Sequence, residues 1–285
     1  MHVLAAAIYT ALSLQLWRTS WRGSLNSVAN QSSLGSAGLP GLTLVERISL
    51  LAALTAHAIS IRMAIFEGTF DGAQVHFGFA IALSVMVWLA IVLFWIESFF
   101  ARLNGLLALG LPAAALTSLL PALFTEPHIL ANASSPALRL HLLFAMLAYS
   151  LFTLAALHAL LMAVAERRLH RGGHISPWLT NLPPLLTMEA ILFRLIHIAF
   201  VLLTLTLISG IFFSEDLFGK ALRFDHKTVF AIISWLIFAA LLIGRHLRGW
   251  RGKVALRWTL AGFIALLLAY VGTRFVLEII LNRST

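Results

Sequence analysis

Histidine is the residue type best suited to chemistry in this chain of 285 residues. Eleven imidazoles lie in a sequence that is 60% hydrophobic and only 11% charged. Neutral imidazole ligates haem iron and transition metals, and an ionisable residue inside an apolar segment usually faces a bundle interior or a cavity. The candidates are His57, His76, His141, His197 and His226. The structural alternative is that each one bonds a neighbouring helix, as we expect for His158.

Long apolar segments must position these side chains. A helix needs about 20 apolar residues to cross the hydrocarbon core of a membrane. Segments of suitable length and composition lie at 2–17, 44–66, 76–99, 105–124, 139–164, 188–213, 227–244 and 255–281. The sequence therefore predicts an all-α integral membrane protein, a bundle of about eight transmembrane helices that forms a single domain over residues 1–285. The longest connections, 18–43 and 165–187, are predicted loops.

Basic residues predict the orientation of the bundle. Lys and Arg collect after the first, third, fifth and seventh predicted spans, and short loops rich in these residues stay in the cytoplasm. Both termini are then expected on the outer, periplasmic side, with His76, His141 and His226 each at the outer end of a span. The net charge of +9 is a topology signal with some attraction to anionic lipid, and nucleic acid is not an expected partner.

Three absences limit the chemistry that the chain can perform. The chain has no cysteine, which excludes disulfides, thiolate catalysis and iron–sulfur clusters. The predicted spans lack the paired acidic residues and the Gly/Pro-interrupted helices that mark the midplane sites of secondary transporters. No HExxH-type motif is present either, so spacing alone assigns no metal site.

Several stretches resemble the cytochrome c assembly family, which includes the haem-handling membrane proteins CcsA and CcmC and the HemX-like proteins. The carboxy-terminal signature of that family is similar to 224–228, 234–238 and 249–253. Upstream, 141–150 is similar to the family's helix with His followed by Ala/Ser-Tyr, and 203–210 to the span before its tryptophan-rich outer loop. Within the family, the pattern is most similar to an eight-span inner-membrane subgroup called YpjD.

The resemblance implies a haem-binding bundle with iron ligands near its outer face. By position, His141 matches the first outer-loop histidine of the family, and His57 matches the histidine of an early span in the YpjD subgroup. His76 would correspond to an intramembrane histidine of the cytochrome c synthases, and His226 stands where those synthases carry proline. We therefore expect haem b, with His57, His141 and His226 as candidate iron ligands and His76 as a further haem-binding residue.

Two more residues are expected to support such a haem. Asp225 would accept a hydrogen bond from a ligand or cap the seventh helix, and Trp235 would pack against the cofactor. The chain also departs from the family, because the tryptophan-rich loop is reduced to 220–224 without any tryptophan and no histidine lies in the eighth predicted span. Direct haem-lyase activity is therefore not expected.

These features predict a haem-binding or haem-handling protein of the bacterial inner membrane, contributing to cytochrome c assembly or haem homeostasis, and not an enzyme. Its expected partners are haem, membrane lipid and another membrane protein. The alternative is a non-catalytic regulatory or stabilising subunit of a metal-ion transporter or a haem-biosynthesis enzyme. In that case the histidines would be structural or would sense a divalent ion.

Overall fold

The computed structural model describes residues 1–29, 42–66, 75–99, 104–124, 135–170, 184–218 and 226–269. The regular elements in these ranges are helices, which confirms the predicted all-α class for the described part of the chain. In chain order they are α1 (His2–Ala29), α2 (Leu44–Ile65), α3 (Phe79–Glu97), α4 (Asn104–Leu123), α5 (Pro136–His170), α6 (Leu185–Phe218), α7 (His226–Arg248) and α8 (Gly252–Leu267).

Six of these helices, α2 to α7, are long and apolar enough to cross a membrane. The helix α5 has 35 residues and is about 50 Å long at 1.5 Å per residue, well beyond the ~30 Å hydrocarbon core. The last helix, α8, is described over 16 residues only. A multi-pass bundle follows from the six apolar helices, while the count of eight spans and the membrane side of the termini remain predictions.

Two predicted loops are shorter than the sequence suggested. The segment 18–43 was expected to be a loop, yet α1 continues into it as far as Ala29. Residues 18–29 are largely polar but include no proline that would break the helix. Similarly, α5 continues to His170 and α6 begins at Leu185.

The start of α2 is fixed by a capping box, in which Thr43 and Glu46 each bond the backbone N–H of the other.

The helix α5 lies at the centre of the bundle. It packs most extensively on α6 and also contacts α3, α4 and α8, whereas α1 packs between α2 and α4. The rings of Phe152 in α5 and Phe238 in α7 stack with centroids 3.9 Å apart. Both rings are fully buried, so α5 connects the amino-terminal and carboxy-terminal helices through one continuous apolar core.

Helices that follow one another along the chain run in opposite directions, which gives the bundle two ends. At one end, the carbonyl of Ile65 accepts a hydrogen bond of 2.9 Å from the backbone N–H of His76, which precedes α3. At the other end, the guanidinium of Arg47 donates to the carbonyl of Ser98 at 3.4 Å. The first, which we call the histidine end, carries His76, His141 and His226. The second, the arginine end, carries Arg47, Glu97, His158 and Arg245.

The family-like stretches 234–238 and 249–253 hold α7 against α8. The hydroxyl of Ser234 donates to the carbonyl of Gly262 at 3.0 Å, and a Cβ at Gly262 would lie 2.8 Å from the ring of Phe238. The ring of Trp250 lies over Gly244, where a Cβ would approach it to 2.4 Å. These residues therefore serve close helix packing, which explains two of the signature stretches without assigning them a ligand.

Candidate functional site

A small apolar cluster at the histidine end contains residues that directly follow two of the candidate histidines in sequence. Its buried members are Phe77, Ile81 and Ala82 from the segment that begins α3, and Leu142 and Met146 of α5 pack against them. We call these five residues the end cluster. His76 directly precedes Phe77 and His141 directly precedes Leu142, and both histidines are half-buried. Two half-buried histidines, one before α3 and one in α5, thus immediately precede residues of one apolar cluster.

The imidazole of His141 is held against α6. Its Nδ1 lies 3.0 Å from the hydroxyl oxygen of Ser209, and that hydroxyl donates to the carbonyl of Thr206 at 3.1 Å. Since the serine proton is already donated, the Nδ1–H of His141 must be the donor to Ser209. In the neutral imidazole the lone pair is then on Nε2, which is the nitrogen that ligation through this ring would use.

Glycine at position 210 allows this close approach. A Cβ built on Gly210 would lie 3.2 Å from Cε1 of His141, closer than an ordinary van der Waals contact. The stretch 203–210 is one of those that resemble the family. In the structure, the last residues of this stretch position His141. Ser209 was missed as a functional residue because nothing in the sequence pairs it with a histidine 68 residues away.

His57 is fully buried between α1, α2 and α3. Its Nε2 lies 2.9 Å from the hydroxyl of Ser84, and its Nδ1 lies 3.4 Å from the hydroxyl of Tyr9. The rings of Tyr9 and His57 also meet edge to face with centroids 5.7 Å apart. Both ring nitrogens therefore have protein partners, and binding iron through His57 would require one of these hydrogen bonds to break.

The hydrogen bonds place the candidate histidines at different depths. His57 lies eight residues before Ile65, the partner of His76, and so about 12 Å deeper along the bundle. Trp235 bonds Thr204, five residues before the partner of His141. His226 precedes Trp235 by nine residues, which puts His226 roughly one helical turn further out than His141.

The remaining candidates occupy different surroundings. His226 is exposed at the start of α7, while Asp225 and the loop 220–224 lie outside the described residues. The indole N–H of Trp235 donates to the hydroxyl of Thr204 at 2.9 Å, and its ring stacks on Phe200 with centroids 5.5 Å apart. In this structure Trp235 is thus part of the contact between α6 and α7, and its packing against a cofactor stays a prediction.

The structure brings few of the candidate histidines close together in the described ranges. No group of three or more His, Asp or Glu side chains there is arranged to hold a metal ion. His57 faces α1 and α3, whereas His141 faces α6. A multi-histidine metal centre is therefore absent from the described part. Haem iron needs only one or two side-chain ligands, and the two candidates that precede residues of the end cluster in sequence are His76 and His141.

Comparison with known proteins gives relatives over most of the chain. The Inner membrane protein YpjD of Escherichia coli (strain K12) is 30% identical over 238 residues, covering 82% of this chain and 86% of that protein. The Cytochrome c biogenesis protein CcsA of Prochlorococcus marinus (strain MIT 9515) is 37% identical over 89 residues, covering 31% of this chain and 28% of that protein. No solved structure matches the chain.

The family comparison covers a longer region than the signature stretches. The family described as Cytochrome C assembly protein matches residues 46–281, a range that runs from the first turn of α2 to beyond α8 and includes His57, His76, His141 and His226. Together with the apolar helices and the similarity to an inner-membrane protein over most of both chains, this match confirms the family and the location. The chain is a multi-pass inner-membrane protein and belongs to the cytochrome C assembly protein family.

Proposed function

We propose that this protein is a haem-handling accessory protein of cytochrome c biogenesis, which binds haem at the histidine end. The observation that carries the proposal is the position of His76 and His141, two half-buried histidines that each directly precede a residue of the end cluster. The family and the CcsA relatives support a role in cytochrome c biogenesis. In the proposed topology the chain crosses the membrane eight times, and the histidine end faces the periplasm.

The donor chemistry at this end fits haem. His141 donates through Nδ1 to Ser209 and therefore directs the lone pair of a neutral ring to Nε2, the form that an axial ligand requires. Gly210 leaves space for the ring to lie close to α6. The apolar side chains of the end cluster provide a wall of the kind that buries a porphyrin. Haem b bound here would supply an iron atom that accepts axial imidazoles.

Each candidate residue has a distinct proposed role. His141 is the principal ligand, and His76 is the second, because each directly precedes a residue of the same cluster. His226, about one turn further out, would receive or release haem at the bundle surface. His57 lies deeper, and the long contact with Tyr9 at 3.4 Å is the hydrogen bond most readily exchanged for iron. Asp225 would hold His226 by a hydrogen bond, and Trp235 would stiffen the wall between α6 and α7.

The protein would bind and deliver haem without attaching it covalently to the apocytochrome. A protein that attaches haem covalently must present it to the apocytochrome, and the loop 220–224 contains no tryptophan for that purpose. Its partners would be haem, lipid and a membrane protein of the assembly machinery. This role agrees with a chain that has no cysteine and so cannot reduce the thiols of an apocytochrome.

An absorption spectrum tests the proposal. The protein is purified in mild detergent from haem-replete cells, together with the His76→Ala, His141→Ala and His226→Ala variants. The matched control is His197→Ala, since His197 is exposed and its Nδ1 bonds the carbonyl of Phe193 in its own helix. We expect a Soret band that weakens in the His141→Ala and His76→Ala proteins and persists in the control.

The opposite result favours the other function. A wild-type protein without a Soret band, even after haem is added, would overturn the haem proposal. The regulatory or stabilising subunit would then be the better explanation, with the histidines as structural residues. Crosslinking in intact membranes would identify the protein that it stabilises.

A further inference from the structure

A buried acid–base pair joins α3 to α5 at the arginine end. Oε2 of Glu97 and Nε2 of His158 lie 3.8 Å apart, and the side chains are 17% and 0% exposed. Neither atom has a hydrogen-bond partner among the described residues, although both are buried. His158 lies 17 residues after His141 in α5, which separates the pair from the histidine end by roughly 25 Å. The pair is thus independent of the proposed haem site.

The other nitrogen of His158 defines the protonation of the ring. Its Nδ1 lies 3.0 Å from the carbonyl oxygen of Leu154. A carbonyl only accepts hydrogen bonds, so Nδ1 carries the hydrogen, and in the neutral imidazole Nε2 holds a lone pair. That lone pair faces the carboxyl group of Glu97. Without a proton between them, two buried acceptors would face each other, an arrangement that leaves both unsatisfied.

We propose that Glu97 and His158 form a buried site for a single proton. The proton is bound to Oε2 of Glu97, which becomes a neutral carboxylic acid and donates to Nε2 of His158. A small rotation of the glutamate side chain shortens the separation to a normal hydrogen bond. The step adds one proton from water to a carboxylate, and it breaks no other bond. The resulting hydrogen bond connects the end of α3 to α5.

The surroundings favour a proton over other occupants. Metal sites in proteins use several ligands, and no metal-holding group of three acidic or histidine side chains exists in the described ranges. An ordered water between these two orphaned acceptors would have only the minimum of the two to four polar partners that it needs, and it would leave a charged carboxylate buried. A neutral acid and a neutral imidazole also avoid the cost of burying two charges.

Nearby cations do not neutralise the carboxyl group directly. Arg194 of α6 acts on Glu97 through its charge, but the structure pairs Glu97 with His158 and with no described Lys or Arg side chain. Arg47 of α2 donates to the carbonyl of Ser98, the residue after Glu97. The helix α4 carries no charged residue between Asn104 and Leu123. The direct partner of the carboxyl group is therefore the imidazole.

Infrared spectroscopy at neutral pH tests the proposal on the full-length protein in lipid. The difference spectrum between wild type and Glu97→Gln should contain the C=O stretch of a protonated carboxylic acid, shifted in D₂O. Glutamine keeps the shape of the acid and donates to Nε2 through its amide, so this variant should fold. His158→Gln should shift the acid band by changing its hydrogen-bond partner.

A control variant and a second spectroscopic measurement decide whether Glu97 is protonated. Glu166→Gln is the matched control, because Glu166 lies in α5 and its carboxylate is 3.8 Å from the ammonium of Lys253; its difference spectrum should show only carboxylate bands. A Glu97→Gln spectrum with the same carboxylate bands and no acid band would overturn the proposal. If a variant misfolds, ¹⁵N-histidine spectra of the wild-type protein still test it, since two protonated nitrogens on the His158 ring would contradict a neutral imidazole.

Discussion

Ser209 accepts a hydrogen bond of 3.0 Å from Nδ1 of His141, across the interface between α5 and α6. This contact joins the two helices that pack most extensively in the bundle. It also orients the imidazole that the family resemblance had singled out. Because a ligand's second nitrogen determines both its tautomer and its orientation, the contact makes the haem proposal testable through a residue that need not touch haem.

The Ser209→Ala variant should bind haem more weakly while retaining its fold. Loss of the acceptor frees the ring of His141 to rotate, and removal of such a partner typically reduces affinity about 10–100-fold. Haem titration of the purified protein measures the change. The control is Ser150→Ala, because the hydroxyl of Ser150 bonds the carbonyl of Met146 in its own helix. Equal affinities in the two variants would show that Ser209 does not position a ligand.

Removing the partner of His57 should lower stability. Ser84→Ala leaves Nε2 of a fully buried imidazole without its 2.9 Å partner, which should cost about 1–3 kcal/mol. Thermal unfolding in detergent measures the loss. Ser60→Ala is the matched control, since Ser60 is also buried but bonds a backbone carbonyl in its own helix. A Ser84→Ala protein as stable as the control would contradict the proposed importance of this hydrogen bond.

The helix α7 should not tolerate a side chain at position 244, where the turn before α8 packs against it. Gly244→Ala would bring a Cβ to 2.4 Å from the ring of Trp250, and such overpacking costs about 1–3 kcal/mol. Unfolding of the single variant should therefore occur at a lower temperature than that of wild type. In a Trp250→Ala background the same substitution should have little effect. Additive losses in the double variant would argue against the close packing of Gly244 and Trp250.

Two of the ion pairs at the arginine end should differ in importance. Glu189 is 9% exposed and pairs with Arg245, whose guanidinium also lies over the ring of Phe193. Glu166 pairs at 3.8 Å with Lys253, which is 65% exposed. Glu189→Gln should therefore lower stability by more than Glu166→Gln, whose expected effect is about 0–1 kcal/mol. A chemical denaturation series on the two variants compares them, and the reverse order would contradict the assigned burial.

Periodicity and composition predicted the helices better than the contacts between them. The apolar segments correctly gave an all-α bundle, because the length needed to cross a membrane is a local property of the sequence. The loop at 18–43 was wrong in its first part, since α1 continues to Ala29. Polar residues near a helix end are compatible with either state, and only the absence of proline hinted at the longer helix.

The sequence predicted which histidines are candidates and how deep they lie, but it did not predict which residues they contact. Tyr9 and Ser84 lie on either side of His57, and each comes from a helix distant in sequence. His158 was expected to bond a neighbouring helix, whereas its Nδ1 bonds Leu154 in its own helix and its Nε2 faces Glu97. A pattern along one chain does not encode which helix faces which, so such pairs appear only in three dimensions.

The most direct test of the central claim is chemical rescue of the His141→Ala variant. Its purified protein, mixed with haem, should lack most of the Soret band of the wild-type complex. Free imidazole added to the solution should restore that band by entering the space left by the side chain, and it should leave the His197→Ala complex unchanged. A full Soret band in His141→Ala without imidazole would show that His141 is not the iron ligand and would contradict the account.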